Sequence, residues 1–563
     1  MKYWRASIAC ILIMSISVRL VPGASIGLPY GFDVYDVVSR IRSAMSTGKF
    51  ETSMPQGPML YSLLCELVIL GGISPEATMS IVAPALLSLI VIPAILYARK
   101  SVKDEFAAII GGILASSTNL IVHQTGGTVV PEALGILFAG FFLSLFVQKN
   151  WKDRKIAVLL SFAALGTLAS HHLTTLNVLF GIGVVILFMI ISDGKRGSVR
   201  SEVRKMMPIF IPLGLAALLI WKFVAPQHTL EVVNLTLAGA SGLTLAVGGF
   251  FAAFVVSMAC RMIYRRRASF YLAEKPFIFA IITFCASLAI LLIFHLVGGM
   301  GMDMLRMILY VGVPISVVYV PLSVTGLVYT VNSRIDDHSL ACLMAFPTAC
   351  LSLAMFLVLQ PGFGTLAYRE VSFMLYSILP VTGIGLAEII RKASPAKRYV
   401  AAFVLAYSVL ALASTSYPSR SYLIGLSESY APSDLRISEI VVNITCQGEK
   451  IDTDVRMGNL LLYYSGRDIN WVSNVSYWTS PGPPGAWLGK SAMAGHPVPI
   501  PSNVEYILVS EEMLESNGGV VVDQPSRRFY PLPDAALRYL EEKPGISKVA
   551  DSGTAFFFYV SRH

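Results

Sequence analysis

The sequence predicts a polytopic α-helical membrane protein of about thirteen spans, with an extracytoplasmic α/β domain at its C-terminal end. Three observations predict it. The 563 residues are 55% hydrophobic and only 14% charged, with a mean hydropathy of +0.67, whereas a soluble domain carries about a quarter charged residues. Apolar runs near the length that crosses a hydrocarbon core recur from residue 6 to about 416. From Tyr417 onward, short apolar runs alternate with turn signals instead. The domain division is therefore 1–416, including a first outer loop at 23–76, and 417–563.

The formal charge of +9 is unevenly divided. The segment from Tyr417 holds 12 Lys+Arg against 16 Asp+Glu, and the membrane part holds 31 against 18. Basicity that belongs to span-connecting loops reports orientation, so nucleic acid is excluded as a partner and membrane lipid is expected. Of the seven cysteines only Cys446 lies in the tail, so no disulfide forms within it, and no cysteine pair has metal-ligand spacing.

The thirteen spans fall at 6–22, 77–98, 106–122, 131–147, 156–170, 173–191, 207–224, 242–260, 276–295, 305–328, 339–359, 371–390 and 399–416. With the N-terminus inside, the inner loops hold 24 basic residues and the outer loops and outer span ends before the tail hold 7. Lys and Arg are retained on the cytoplasmic side, so the chain is expected in the cell membrane with a cytoplasmic N-terminus and an extracytoplasmic tail. Sequons at Asn234, Asn443 and Asn474 all fall outside in this arrangement. The apolar stretch Pro58–Gly71 is too short to span, and counting it would invert every later loop, so it reads as an outer-surface or half-inserted helix. Residues 6–22, followed by Pro22-Gly23-Ala24-Ser25, also fit a cleaved signal peptide; Arg19 inside the run and a loose cleavage site argue against it.

In the first outer loop Val34, Val37, Val38, Ile41, Ala44 and Met45 recur at helical spacing, with Asp33, Asp36, Arg40 and Ser43 opposite, which predicts an amphipathic helix at the membrane surface. Asp33 stands where a carboxylate is favoured by the unpaired amides of a first turn, so N-capping is one explanation of it. Pairing with Arg40 four residues on is one explanation of Asp36.

The run Arg19-Leu20-x-Pro22, then Phe32-Asp33-Val34-Tyr35-Asp36 with Arg40, then Gly48 and Pro55-Gln56-Gly57-Pro58-x-x-Tyr61, resembles the first span and first outer loop of the GT-C superfamily of polyprenyl-phosphate-dependent glycosyltransferases. It is most similar to the catalytic subunit of archaeal and eukaryotic oligosaccharyltransferases. There an Asp-x-Tyr-Tyr-His-x-x-Arg helix precedes a Pro-x-Gly segment and its Asp belongs to the active site. The resemblance implies thirteen spans, an inside N-terminus and an outer C-terminal domain. It makes Asp33 a catalytic candidate and Asp36 and Arg40 substrate-binding candidates. Because Asp36 stands near the family's His or Tyr, use of a divalent metal (Mg or Mn) stays open, with Asp33 and Glu132 as candidate ligands.

The second outer loop, His123 to Glu132, sits where that family places its second acidic motif, and the resemblance makes Glu132 the second catalytic candidate, orienting the acceptor or a bound metal; an acidic first turn after Pro131 explains it equally well. Tyr368-Arg369-Glu370 opens a late span, similar to the family's Arg-Phe start, where the Arg faces the donor's phosphate. A guanidinium suits that role because it binds phosphate oxygens bidentately and keeps its charge. Interfacial anchoring, or pairing with Glu370, is the alternative for Arg369. His171 and His172 join two spans with almost no loop, where they can hydrogen-bond a lipid phosphate, line an acceptor cavity or simply bond backbone and water. Neighbours in a helix point apart, which speaks against joint metal ligation.

In the tail, Glu439–Thr445, Val504–Ser510 and Thr554–Val560 read as strands and Pro533–Glu542 as a helix. The family's Trp-Trp-Asp-Tyr-Gly motif, which recognises the acceptor sequon, is absent, and Val297–Met304 lacks its long acidic segment, so an acceptor other than a sequon is implied. The aromatic and Gly-Pro cluster Trp471–Trp487 suits either sugar stacking or an irregular packed loop.

The function expected is a membrane glycosyltransferase of the GT-C type, moving a sugar from a polyprenyl-phosphate-linked donor to a glycan, lipid or protein acceptor on the outer face by direct displacement, which inverts the anomeric centre. A lipid or polysaccharide transporter or flippase, and a non-catalytic envelope-assembly protein, are the rivals. Against transport, ionisable residues gather at span ends rather than span centres, and no Gly/Pro-broken pair of spans marks inverted repeats.

Overall fold

The structure, a computed structural model, describes residues 3–26, 29–49, 57–148, 151, 153–192, 196–223, 275–298, 312–332, 335–359, 367–417, 430–446, 448–465, 470–472, 504–514, 520–521, 529–530 and 534–561. Long apolar stretches satisfy their backbone internally by becoming helices, as any segment in hydrocarbon must. They are α1 (Trp4–Ile26), α2 (Phe32–Thr47) and α3 (Met59–Gly71), then α4 (Pro75–Val102), α5 (Glu105–Ser117) and α6 (Asn119–Gly127). There follow α7 (Pro131–Phe146), α8 (Arg154–Ser170), α9 (His172–Ser192), α10 (Arg196–Phe223), α11 (Pro276–Gly298), α12 (Val313–Asn332), α13 (Asp337–Leu359), α14 (Ala367–Lys392) and α15 (Pro395–Ser414).

Among the described residues five helices are long and apolar enough to cross a membrane, or six if the bent pair α5–α6 is one span. The expected span 242–260 and the start of 305–328 lie outside the described residues. Apolar side chains such as Val158, Leu159, Phe162 and Leu165 of α8 and Leu215, Leu218 and Leu219 of α10 are exposed, as lipid-facing surface should be. The expected straight span 106–122 breaks by 61° between α5 and α6. Thr118 sits at the break in an extended conformation; its hydroxyl donates to the Leu114 carbonyl at 2.6 Å and pairs with the Tyr319 hydroxyl.

Glycines decide how closely the central helices approach. A Cβ on Gly326 of α12 would lie 1.8 Å from the Val381 carbonyl oxygen, and one on Gly385 of α14 would lie 1.9 Å from that of Leu322. Only hydrogen at both positions lets these backbones touch.

The tail holds a five-stranded mixed sheet. Its strands are β1 (Lys450–Asp452), β2 (Asn470–Val472), β3 (Tyr506–Ser510), β6 (Ile546–Asp551) and β7 (Ala555–Val560), with a separate pair β4 (Val520–Val521) and β5 (Phe529–Tyr530). The order is β2-β1-β3-β7-β6; β1 runs parallel to β2 and β3, whereas β7 is antiparallel to β3 and β6. Helices α16 (Pro432–Ile444), α17 (Val455–Ser465) and α18 (Asp534–Glu542) accompany it. The expected strand at Glu439–Thr445 is thus a correction. Pro432 occupies the first turn and the Asp434 carboxylate accepts from the Ala431 amide at 3.0 Å, starting a helix whose Ile437 and Val441 are buried one turn apart. The β-branched run Ile440-Val441-Val442 is overridden by that start.

Helix α2 brings a second correction. Its predicted stripe is buried at Val34, Val37, Val38, Ile41 and Ala44, with only Met45 exposed. Protein covers it instead of a membrane surface: α2 packs on α3 and on α17 of the tail.

Candidate functional site

Several span ends meet on the side of the bundle that faces the tail. Pro131 takes the first helical position of α7, where its missing N–H costs nothing, and Glu132 follows in the first turn, 1% exposed. Its Oε2 lies 3.1 Å from Nη1 of Arg369, which opens α14 and is itself buried. Arg369 therefore pairs with Glu132 across two helices, not with the adjacent Glu370. The first-turn explanation of Glu132 holds as well, since helix N-terminus and guanidinium both favour its charge.

Glu370 is a feature that sequence reasoning left aside except as a partner for Arg369. Its carboxyl group is 0% exposed, and among the described residues neither oxygen makes a hydrogen bond of good geometry. Glu132, Arg369 and the Asn177 amide lie close enough to act on it electrostatically, although Asn177 falls short of hydrogen-bond geometry and its own amide atoms are unmatched too. A Glu beside an Arg at a span opening was the available signal.

His171 and His172 overturn an argument from helix geometry. Their rings stand 4.5 Å apart between centroids and 34° from coplanar. His171 is not helical: at φ −158°, ψ 134° it is the extended residue between α8 and α9, so the rotation that separates helical neighbours does not apply. Gly57 lies against this corner, because a Cβ there would be 2.6 Å from the carbonyl oxygens of Ala169 and Ser170; Pro55 and Gln56 before it lie outside the described residues.

Asp33 lies in the first turn of α2, but the N-cap is Gly31, with φ 95° and no side-chain cap bond, so N-capping does not explain Asp33. Gly31 abuts the second outer loop: a Cβ there would be 2.9 Å from Thr128 Cγ2. Asp33 thus stands two residues past this contact and Glu132 four residues past it. Asp36 accepts from Arg40 Nε at 2.8 Å, as the spacing predicted. Burial first, then the Asp36 and Asp33 carboxylates, hold the Tyr61 phenol above its usual range.

Arg19 links the loop to the first helix. Fully buried, it donates from Nε to Thr125 Oγ1 at 2.8 Å and from Nη1 to Ser15 Oγ at 2.7 Å, with a longer bond to the Ala115 carbonyl. Thr125 belongs to a π-helical turn, His123–Gly127, a form that recurs at functional sites. His123 Nδ1 faces the Ser416 carbonyl at 3.2 Å, tying the loop to the end of α15.

Metal binding finds little support in this donor set. Among the described residues no three His, Cys, Asp or Glu side chains gather as a metal-binding group, and the one buried candidate, Glu132, already faces a guanidinium. Mg²⁺ takes six oxygens in a near-ideal octahedron, which one arginine-paired carboxylate does not begin to supply. Of the aromatic cluster Trp471–Trp487, only Trp471 and Val472 are described.

No family model matches the chain, and no curated protein matches it. Solved structures do. The oligosaccharyltransferase of Archaeoglobus fulgidus, tethered to an acceptor peptide containing the NVT sequon, matches with a TM-score of 0.53 at 13% identity over 91% of this chain and 70% of that one. The archaeal oligosaccharyltransferase AglB from Archaeoglobus fulgidus, in complex with an inhibitory peptide and a dolichol-phosphate, gives 0.53 at 12% identity over the same shares. The first of these oligosaccharyltransferases in complex with Zn and sulfate gives 0.53 at 14% over 90% and 68%. The chain shares the fold of these oligosaccharyltransferase structures, and its long apolar helices are those of an integral membrane protein.

Proposed function

We propose that this protein is a membrane glycosyltransferase that moves a sugar from a polyprenyl-phosphate-linked donor to an acceptor on the extracytoplasmic face. The observation that carries the reading is the buried Glu132–Arg369 pair, set at the tail-side ends of two spans beside the loop that abuts the Asp33 helix. A buried ion pair contributes little net stability, since desolvation offsets its attraction. Charges kept at such depth therefore point to chemistry.

In this mechanism the donor enters from the bilayer and its phosphate oxygens meet Arg369, which Glu132 holds in place. The acceptor hydroxyl attacks the anomeric carbon while the carbon–oxygen bond to phosphate breaks. The bonding pair leaves with the lipid phosphate, and Arg369 offsets the charge that develops there. Asp33 takes the hydroxyl proton as general base, which requires it to come within about 2.6–3.2 Å of that oxygen. Direct displacement inverts the anomeric centre. Asp36 and Arg40, paired on the same half-exposed face of α2, and the adjacent, tilted rings of His171 and His172 would contact the acceptor and donor. No step is routed through a metal. Thirteen spans, an inside N-terminus and an outside tail complete the proposal, resting on the 24-to-7 division of basic residues.

The test is transfer by protein reconstituted in vesicles with a defined polyprenyl-phosphate sugar. Asp33→Asn abolishes product while expression and fold persist; near-normal turnover by this variant sinks the reading.

A further inference from the structure

Helix α2 presents three faces. Val34, Val37, Val38, Ile41 and Ala44 form the buried apolar one, and Asp33, Asp36 and Arg40 the half-exposed polar one. The third, Tyr35, Ser39 and Arg42, follows the i, i+4, i+7 spacing of a single helix face and is turned to the tail. The ring of Tyr35 meets those of Tyr430 and Tyr463 edge-on, with centroids 4.8 and 5.0 Å away. Ser39 Oγ donates to the Leu462 carbonyl at 3.3 Å.

Arg42 joins three elements. It donates from Nη1 to the Tyr463 carbonyl at 2.7 Å, its guanidinium lies 4.5 Å over the Tyr463 ring, and Nη2 pairs with Glu76 in the first turn of α4. Tail helix, outer-loop helix and a membrane span are thereby fastened by one side chain. An Arg on a carbonyl, a ring and a carboxylate at once uses planarity that Lys lacks. The rings give directional contacts, since edge-to-face pairs prefer this geometry.

We infer that the tail acts as a positioning domain: α17, through Tyr463 and Arg42, fixes the orientation of α2 and so the placement of Asp33 against the acceptor. The inference rests on the reading of Asp33 as general base. Tyr35 and Arg42 are positioning residues, acting through the helix axis and not on the reacting atoms. A misplacement of about 1 Å can lower a rate about 100-fold, so a tilt of α2 is enough to be felt.

The experiment uses the full chain in vesicles and follows turnover, the KM for a defined polyprenyl-phosphate sugar, the thermal midpoint and amide exchange of α2. Arg42→Ala and Tyr35→Ala are expected to lower turnover about 10- to 100-fold with donor KM unchanged and with faster exchange confined to α2 and α17. Arg42→Lys stays low, because the ring and carbonyl contacts are lost, whereas Tyr35→Phe keeps both edge contacts and restores the rate. Wild-type turnover in both alanine variants overturns the inference. So does a fall in turnover that goes with a raised donor KM or a collapse of the thermal midpoint, which marks general scaffolding. Asp33→Asn is run alongside: full activity there removes the general-base reading itself, whereas its loss together with active alanine variants removes only the positioning role.

Discussion

The two ends of the helix bundle treat charge in opposite ways. Away from the tail, charged groups sit in ordinary surface arrangements. Asp104 caps α5 by accepting from the Phe106 and Ala107 amides and also pairs with Arg391 at 2.6 Å, while Arg391 reaches Glu388 at 3.0 Å and remains 44% exposed. Asp153 caps α8 in the same manner, and Arg99 pairs with Glu105. Towards the tail, Arg19, Glu132, Arg369 and Glu370 are all buried, and the guanidinium of Arg369 pairs with Glu132 while Glu370 lies beside them. Caps and surface pairs maintain a fold at small cost. Buried, imperfectly matched charge is costly, and a protein that needed only to fold would not concentrate it at one end.

Substitutions at the two ends turn this contrast into measurements. Arg369→Gln and Glu132→Gln, taken singly, should each lower turnover about 100- to 1000-fold and cost about 3–5 kcal/mol, because each strands a buried charge. The double variant should be more stable than either alone, and chemical denaturation in detergent reads the difference; equal stabilities would show that the pair is not coupled. Glu370→Met should raise stability by about 1–3 kcal/mol, since it removes an unmatched buried carboxylate and leaves Glu132 and Arg369 balanced. A lower thermal midpoint would instead make Glu370 part of the structural frame. Arg391→Gln should change stability by less than about 1 kcal/mol and leave transfer untouched, as an exposed pair allows. A large loss there would erase the distinction between the ends.

Much of this was legible in the sequence, for reasons that differ by region. Helices in hydrocarbon need length and apolarity, both local properties, so α1, α4, α9 and α14 stand close to where hydropathy placed them. The short α3 is equally legible, bounded by Pro58 and by Gly72 in the left-handed region at φ 60°. What could not be read was any property set by a distant partner. The stripe of α2 reads the same whether lipid or protein covers it. Arg369 offers its neighbour Glu370 as the obvious partner, and only the packing of α7 against α14 brings Glu132 closer. The pair His171-His172 misled for another reason: a single extended residue between two helices replaces the helical rotation on which the expectation was built.

Arg19 packs its side chain where a side chain on residue 126 would have to go. A Cβ on Gly126 would fall 2.5 Å from Arg19 Cγ and 2.8 Å from the Tyr417 hydroxyl, so the second outer loop is moulded around the first helix. Gly126 resembles a residue retained for pliancy, yet it serves as a socket. In evolutionary drift the two positions are bound together: a side chain at 126 would also lie 2.8 Å from Arg19 Cβ, so shortening residue 19 alone leaves no room and the loop backbone would have to move as well.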